Sequence, residues 1–270
     1  MLVDFHNHVL PGADDGSKSL EMSLNMLRTA AQQGITDVVN TIHYQHPRMD
    51  EFAITNYELR IKIKELQAEV DKAGIPIKLH QGTEVFYLPN LVEIAKDPVT
   101  TIGNGKYMLV EFQLHQLPVG YRDVLFNLVM SGVTPVIAHP ERYNPIQRNI
   151  DIIRELIQAG CLIQIDGGSL TGSLGQSAKK AAMEILEQGL CHLIGSDAHD
   201  DRRRNFCFSE SIEKTREIIG DNVERIVHNS QKLLTGESID TEVSISYPVE
   251  YPSFFARVKK RIFSHSVSSE

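Results

Sequence analysis

Apolar positions along the chain follow two alternating periods. Short apolar runs at residues 2–5, 36–41, 75–85, 107–112, 134–138, 161–166 and 190–195 read as strands. Between the first two runs, Leu20, Leu24, Leu27 and Ala31 recur at helical spacing, and Leu59, Ile63, Leu66, Val70 and Ala73 do so after the second. Residues 121–130, 150–159, 178–188, 209–219 and 222–234 read as further helices. Gly34, Gly74, Gly132, Gly160 and Gly189 follow helical segments as C-caps. Seven strands alternating with helices predict an α/β protein built from βαβ units around a parallel sheet. Runs such as YMLV and CLIQI show little polar alternation, so the sheet is expected to be covered on both faces. The pattern alone leaves an open doubly wound sheet and a closed barrel undivided.

Composition narrows the function classes. The 270 residues include 41% hydrophobic and 23% charged positions, which suits a folded soluble chain. Basic residues number 27 against 35 acidic, a net charge of −8. Nucleic-acid binding is not expected, because phosphate-backbone affinity rests on Lys and Arg. No apolar run reaches the roughly 18–20 residues that span a bilayer. The start, MLVDFH, has neither the basic nor the apolar region of a secretory signal, so a cytoplasmic location is expected. Cys161, Cys191 and Cys207 are too few and scattered for a disulfide framework or a thiolate zinc site.

The eleven histidines change the picture. His6 and His8 follow the first strand, and Asp14-Asp15-Gly16 lies on the loop beyond. His43 follows the second strand, Glu84 and Glu111 close the third and fourth, His139 closes the fifth, and Asp197 and His199 close the seventh. Random placement would scatter these residue types over helices and both sheet ends. They gather instead at the C-terminal ends of strands, where α/β barrels keep their active sites. In His6-Asn7-His8 and Asp197-Ala198-His199 the outer residues share one face of an extended chain, so both can reach one ion. Histidine with carboxylate and no thiolate favours Mn, Fe, Zn or Mg over a closed structural zinc site. About eight such residues exceed one tetrahedral ion, which implies a cluster. His46, His80, His115, His192, His228 and His265 read as ordinary polar or packing residues, and Gly167-Gly168-Ser169 as a turn. Arg142 and the triplet Arg202-Arg203-Arg204 lie beside the acids, where guanidinium suits a phosphate substrate.

The HxH pair, lone His, Glu, His and late DxH resemble the PHP (polymerase and histidinol phosphatase) family of metal-dependent phosphoesterases over residues 1–235. HNHVLPGADDG, GTEV, VEF, IAHPER and GSDAH are similar to its bacterial protein-tyrosine phosphatases of capsule and exopolysaccharide synthesis. The resemblance implies a distorted seven-stranded (β/α) TIM-like barrel with a three-metal site, usually manganese. Matched residue by residue, it implies His6, His8, Glu84 and Asp197 on one ion. Glu84, Glu111 and His139 would hold a second, and Asp15, His43 and His199 a third. Asp15 matches by its place before Gly16. Arg142 matches a phosphate-contacting arginine, and Arg204 aligns best with a second, with Arg202 and Arg203 adjacent. Asp197 and His199 count among the catalytic residues as well as the ligands. The implied substrate is phosphotyrosine on a protein such as a BY-type tyrosine kinase, attacked by metal-activated water.

Three alternatives stand beside it: a histidinol-phosphate or other small-molecule phosphomonoesterase, a nuclease, and a non-catalytic metal-stabilised module. The net charge weighs against the nuclease, and the intact ligand set against the inert module. Residues 1–235 are expected to form the barrel and residues 236–270 a flexible tail. Near its end, Phe254, Phe255, Val258 and Ile262 would share one helical face among Arg257, Lys259, Lys260 and Arg261, which suits contact with a membrane surface or a kinase.

Overall fold

Local chemistry starts the first helices where the pattern places them. Ser19 caps α1 (Leu20–Gln32), its hydroxyl accepting the Met22 N–H at 3.2 Å. Thr55 and Glu58 form a reciprocal capping box at the head of α2 (Asn56–Lys72), whose Leu59, Ile63, Leu66 and Val70 are buried. The remaining helices are α3 (Leu91–Ile94), α4 (Tyr121–Met130), α5 (Asn144–Arg148), α6 (Asp151–Gln158), α7 (Gly167–Thr171), α8 (Gln176–Glu187), α9 (Phe208–Ile219) and α10 (Val223–Thr235). This computed structural model describes residues 1–49 and 55–241. The basic-aromatic segment of residues 254–263 lies outside the described residues.

The seven strands are β1 (Val3–Asp4), β2 (Asp37–Tyr44), β3 (Lys78–Phe86), β4 (Tyr107–Glu111), β5 (Thr134–Ile137), β6 (Leu162–Asp166) and β7 (Leu193–Gly195). All neighbours are parallel, in sequence order. A parallel bridge between Asn7 and Ala198 joins the first segment to the last. The sheet is therefore a nearly closed barrel, as expected of the PHP resemblance.

Period-2 alternation sorts the barrel interior into two levels. Val3, Phe5, Val39, Leu109, Val136, Leu162 and Leu193 make an apolar lower level. Two or four residues further on, the same faces carry Glu111, His43, Asp166 and Asp197. The floor is closed by Leu233 and Ile239. Residues 237–241 run across it: the Tyr107 hydroxyl donates to the Glu237 carbonyl and accepts the Ile239 N–H at 3.1 Å.

Several boundaries differ from the sequence expectation. β2 continues to Tyr44 rather than ending at residue 41, so His43 lies inside a strand; its pairing with Glu84 carries the strand on. Residues 75–77 and 190–192 precede their strands. Residues 167–169 begin α7 instead of forming a turn, because Asp166 accepts the Gly168 N–H at 2.7 Å. The buried face of α1 is Ser23, Met26, Leu27 and Ala30, while Leu20 is exposed. Ser23 pulls the helix round by donating to the Val9 carbonyl at 2.6 Å.

His192 sits fully buried at the floor. Its Nδ1 accepts the Ile163 N–H at 3.1 Å, and its Nε2 donates to the Thr241 carbonyl at 3.3 Å. Burial pushes its pKa down from 6.5 to about 4, with Arg225 adding to the effect. The unfolded chain thus binds this proton first, so stability is present above pH 6.5 and falls as pH drops toward 4. Between pH 7 and pH 5 the wild type is expected to lose about 2 kcal/mol more than His192→Gln, measured by urea unfolding.

Candidate metal centre

The site lies at the mouth of the barrel, on the seam between its first and last strands. His8 N–H donates to the Ala198 carbonyl and Asp197 N–H to the His6 carbonyl, both at 2.8 Å. These bonds lock the HxH and DxH segments face to face. Asp4 ties the seam below, accepting from Asn7 Nδ2 at 2.9 Å and from Ser196 N–H at 3.0 Å. Two glycines permit the close approach. A Cβ on Gly195 would stand 2.7 Å from His6 Cβ, and one on Gly16 would collide with His8. His139 (φ 32) and Asp197 (φ 46) hold left-handed backbone conformations that L-residues rarely adopt. Such strain persists where surrounding structure imposes it, commonly at functional sites.

Every ligand candidate named from the sequence reaches this mouth. Three groups of side-chain atoms could each hold an ion, with their atoms within 4.8 Å of one another: His6, His8, Glu84 and Asp197; His8, Asp15, His43 and His199; and His43, Glu84 and Glu111. His139 stands beside the last group, Nε2 lying 2.9 Å from Glu84 Oε1 and 3.8 Å from Glu111 Oε1. Glu84 is shared between two groups, and His43 faces Glu84 at 3.3 Å with Nδ1 and Asp15 at 3.4 Å with Nε2.

The donor set fits divalent cations. His6 Nε2, His8 Nε2, His43 Nδ1, Glu84 Oε2, Glu111 Oε2 and Asp197 Oδ1 are buried without a hydrogen-bond partner. Buried polar atoms are ordinarily paired, and these six converge. The opposite nitrogens of three rings are held: His6 Nδ1 donates to Gln164 Oε1 at 2.9 Å, His8 Nδ1 to Asp14 Oδ2 at 2.7 Å, and His199 Nδ1 to the Asp197 carbonyl at 2.8 Å. Each bond fixes the tautomer that leaves Nε2 free for a metal.

The charges are strongly coupled. Burial opposes ionisation of His6, yet Glu84 and Asp197 outweigh it and raise its pKa to about 9. Burial likewise opposes the charges on Glu84 and Asp197, but the imidazoles, and for Asp197 also Arg204, hold both well below the carboxylate range. Burial, then Glu84, lifts Glu111 to about 8, and burial with Arg142 depresses His139 to about 4. Cation uptake at pH 7 is therefore expected to release protons from His6 and His8.

Two guanidiniums complete the mouth. Asp197 Oδ2 accepts from Arg142 Nη1 at 2.7 Å and from Arg204 Nη2 at 2.5 Å. Arg202 and Arg203 are exposed; both their N–H groups donate to Asp200. A cleft of about 310 Å³ opens above the cluster, lined by His46, Phe86, Leu114, Arg142 and Arg204 among others.

A family-level match, capsular polysaccharide synthesis CpsB/CapC, spans residues 2–235. The chain belongs to the CpsB/CapC family. CapC of Staphylococcus aureus is 31% identical over 246 residues, 90% of this chain and 94% of that protein. The tyrosine-protein phosphatase YwqE of Bacillus subtilis is 30% identical over 240 residues, 88% of this chain and 93% of its own. A crystal structure from work on YwqE and Streptococcus pneumoniae CpsB, described there as metal-dependent tyrosine phosphatases, superimposes with a TM-score of 0.83 at 29% identity. It covers 88% of this chain and 96% of the other. A histidinol phosphate phosphatase from Lactococcus lactis, 18% identical with a TM-score of 0.52, shares the fold.

Several residues around the CpsB/CapC site escape a reading of ligand types alone. Asp14, passed over beside Asp15, braces His8 and also accepts the His43 N–H at 3.1 Å. Gln164 and Asp166 stand in the apolar run of β6, and their period-2 spacing from Leu162 was the available signal that they face the interior. Glu141 is buried, accepting from Ser169 and the Asp166 N–H. His46, read as an ordinary polar residue, lies against His43 with ring centroids 4.9 Å apart and the rings tilted by 40°. Asp14→Asn removes the charge behind His8 while keeping the shape. It is expected to weaken divalent-cation binding about 10–100-fold, read by titration calorimetry on the folded chain.

Proposed function

We propose that this chain is a metal-dependent protein-tyrosine phosphatase, with manganese as its ion and phosphotyrosine on a tyrosine kinase of capsule or exopolysaccharide synthesis as its substrate. The observation that carries the reading is the division of labour within Asp197. Its Oδ1 faces His6 and His8 at 3.4 and 3.3 Å, and its Oδ2 binds Arg142 and Arg204. Cation ligands and phosphate-type arginines are thereby one unit. The named relatives and the 0.83 structural match are tyrosine phosphatases by description, which supports the same reading.

His6, His8, Glu84 and Asp197 would hold one ion, Glu84, Glu111 and His139 a second, and Asp15, His43 and His199 a third. The ions supply Lewis acidity toward water and phosphoryl oxygens. The protein's own part is positioning. Arg142 and Arg204 offer planar N–H pairs to the equatorial phosphoryl oxygens, where charge grows in the transition state. Arg142 is held charged by Asp197 and Asp166 despite burial. The tyrosine phenolate, with a pKa of about 10, departs without strong protonation. Among the described residues no helix is long and apolar enough to cross a membrane.

The test is turnover of metal-stripped chain on a phosphotyrosine peptide, with Mn, Fe, Zn and Mg restored singly and histidinol phosphate run in parallel. Activity is expected only after metal is restored, and on the peptide. Arg142→Ala is expected to raise KM and lower kcat at unchanged metal content, checked by elemental analysis. Loss of bound metal in that variant would instead make Arg142 part of the ion site.

A cysteine nucleophile is a competing route. Burial pushes the Cys161 thiol up, and pushes Cys191 and Cys207 up to about 12, which keeps all three as inert thiols. A Cys161→Ala, Cys191→Ala, Cys207→Ala triple variant is expected to keep most of its kcat on the peptide, and acid quenching during turnover to trap no phosphoenzyme.

A further inference from the structure

Among the described residues, the side chains that converge in the upper interior of the barrel are mostly ionisable, and Phe86 lines the cleft with them. Phe86 follows Glu84 by two residues on β3, so both side chains project from the same strand face, about 6.5 Å apart along the strand. Phe86 pairs in register with Glu111 and lines the cleft over the cluster. It is half-buried and belongs to none of the three hydrophobic cores. Its ring meets that of His46 edge-on, centroids 5.1 Å apart. His46 in turn leans on His43 and lies 3.7 Å from Glu111. An aromatic ring outside the core is thus braced one strand step above the ion-holding carboxylate. Leu114, 37% exposed, and Met49 add apolar surface to the same cleft.

We propose that Phe86 is the specificity-determining residue for aryl over alkyl phosphate esters. The inference rests on the phosphatase reading above. A phosphoryl group held by Arg142 and Arg204 at the level of Asp197 leaves its ester substituent pointing out along the cleft. A phenyl ring bonded directly to the ester oxygen then falls at the height of Phe86, where offset or edge-on ring packing is favourable. The flexible alkyl arm of phosphoserine places only one methylene there and the peptide backbone next, so it gains little from the ring.

The test uses the full chain loaded with Mn and measures binding of phenylphosphonate and methylphosphonate by calorimetry. Phosphotyrosine-peptide kinetics are run alongside. Phe86→Ala is expected to weaken phenylphosphonate at least tenfold and leave methylphosphonate and metal content unchanged. On the peptide it is expected to raise KM at least tenfold while kcat stays within about threefold. Phe86→Tyr is expected to restore both. Equal weakening of the two phosphonates, or no change in either, overturns the assignment. A wild-type chain that binds both phosphonates yet hydrolyses no phosphotyrosine peptide overturns the phosphatase reading, and with it the role of Phe86 in ester selection.

Discussion

Everything at the mouth turns on one carboxylate. Asp197 is fully desolvated, and its charge is tolerated only because cations or their stand-ins surround it on both sides. On one side stand the imidazoles of His6 and His8, whose pKa values its charge helps to raise; on the other stand Arg142 and Arg204. Its backbone is left-handed, and one of its oxygens faces each set. Ion-facing histidines and phosphate-type arginines therefore share one carboxylate, through its two different oxygens.

The rest of the barrel makes that concentration of charge affordable. The lower interior is filled with Val, Leu, Phe and Tyr, and the floor is sealed by Leu233 and Ile239. Helices cover the outside through larger apolar clusters built on β3 to β7 and on β2 with α1 and α2. With stability carried there, the upper level is free to carry groups that would individually be unfavourable. The supporting shell of Asp4, Asp14, Gln164 and Glu141 keeps those groups from relaxing toward one another.

Much of this was legible in the chain. The seven strands and main helices follow from periodicity, because burial on both faces forces uninterrupted apolar runs. The ligands were legible because they recur at one end of successive strands. The short helices α3, α5 and α7 were not legible, since each is a single turn set by tertiary contacts rather than by propensity. His43 was placed after its strand, because nothing local shows that pairing with β3 extends it. The bracing residues stayed hidden for a different reason. A glutamine or aspartate in a strand looks like any polar interruption until its partner, 158 residues away for Gln164 and His6, is known. Only Gln164 and Asp166, at alternating positions in an otherwise apolar run, left a trace.

The seam has a consequence for how the chain comes into being. Ser196 bonds to Asp4 across 192 residues, and the histidines that follow the first strand meet Asp197 only when the last strand docks. During vectorial synthesis His6 and His8 emerge first and wait for nearly the whole barrel to be made. Closing so long a loop is entropically slow, and until it closes the full ligand set does not exist. Ion capture is thus a late event that reports completion, and a truncated or stalled chain carries the HxH signature without the means to use it.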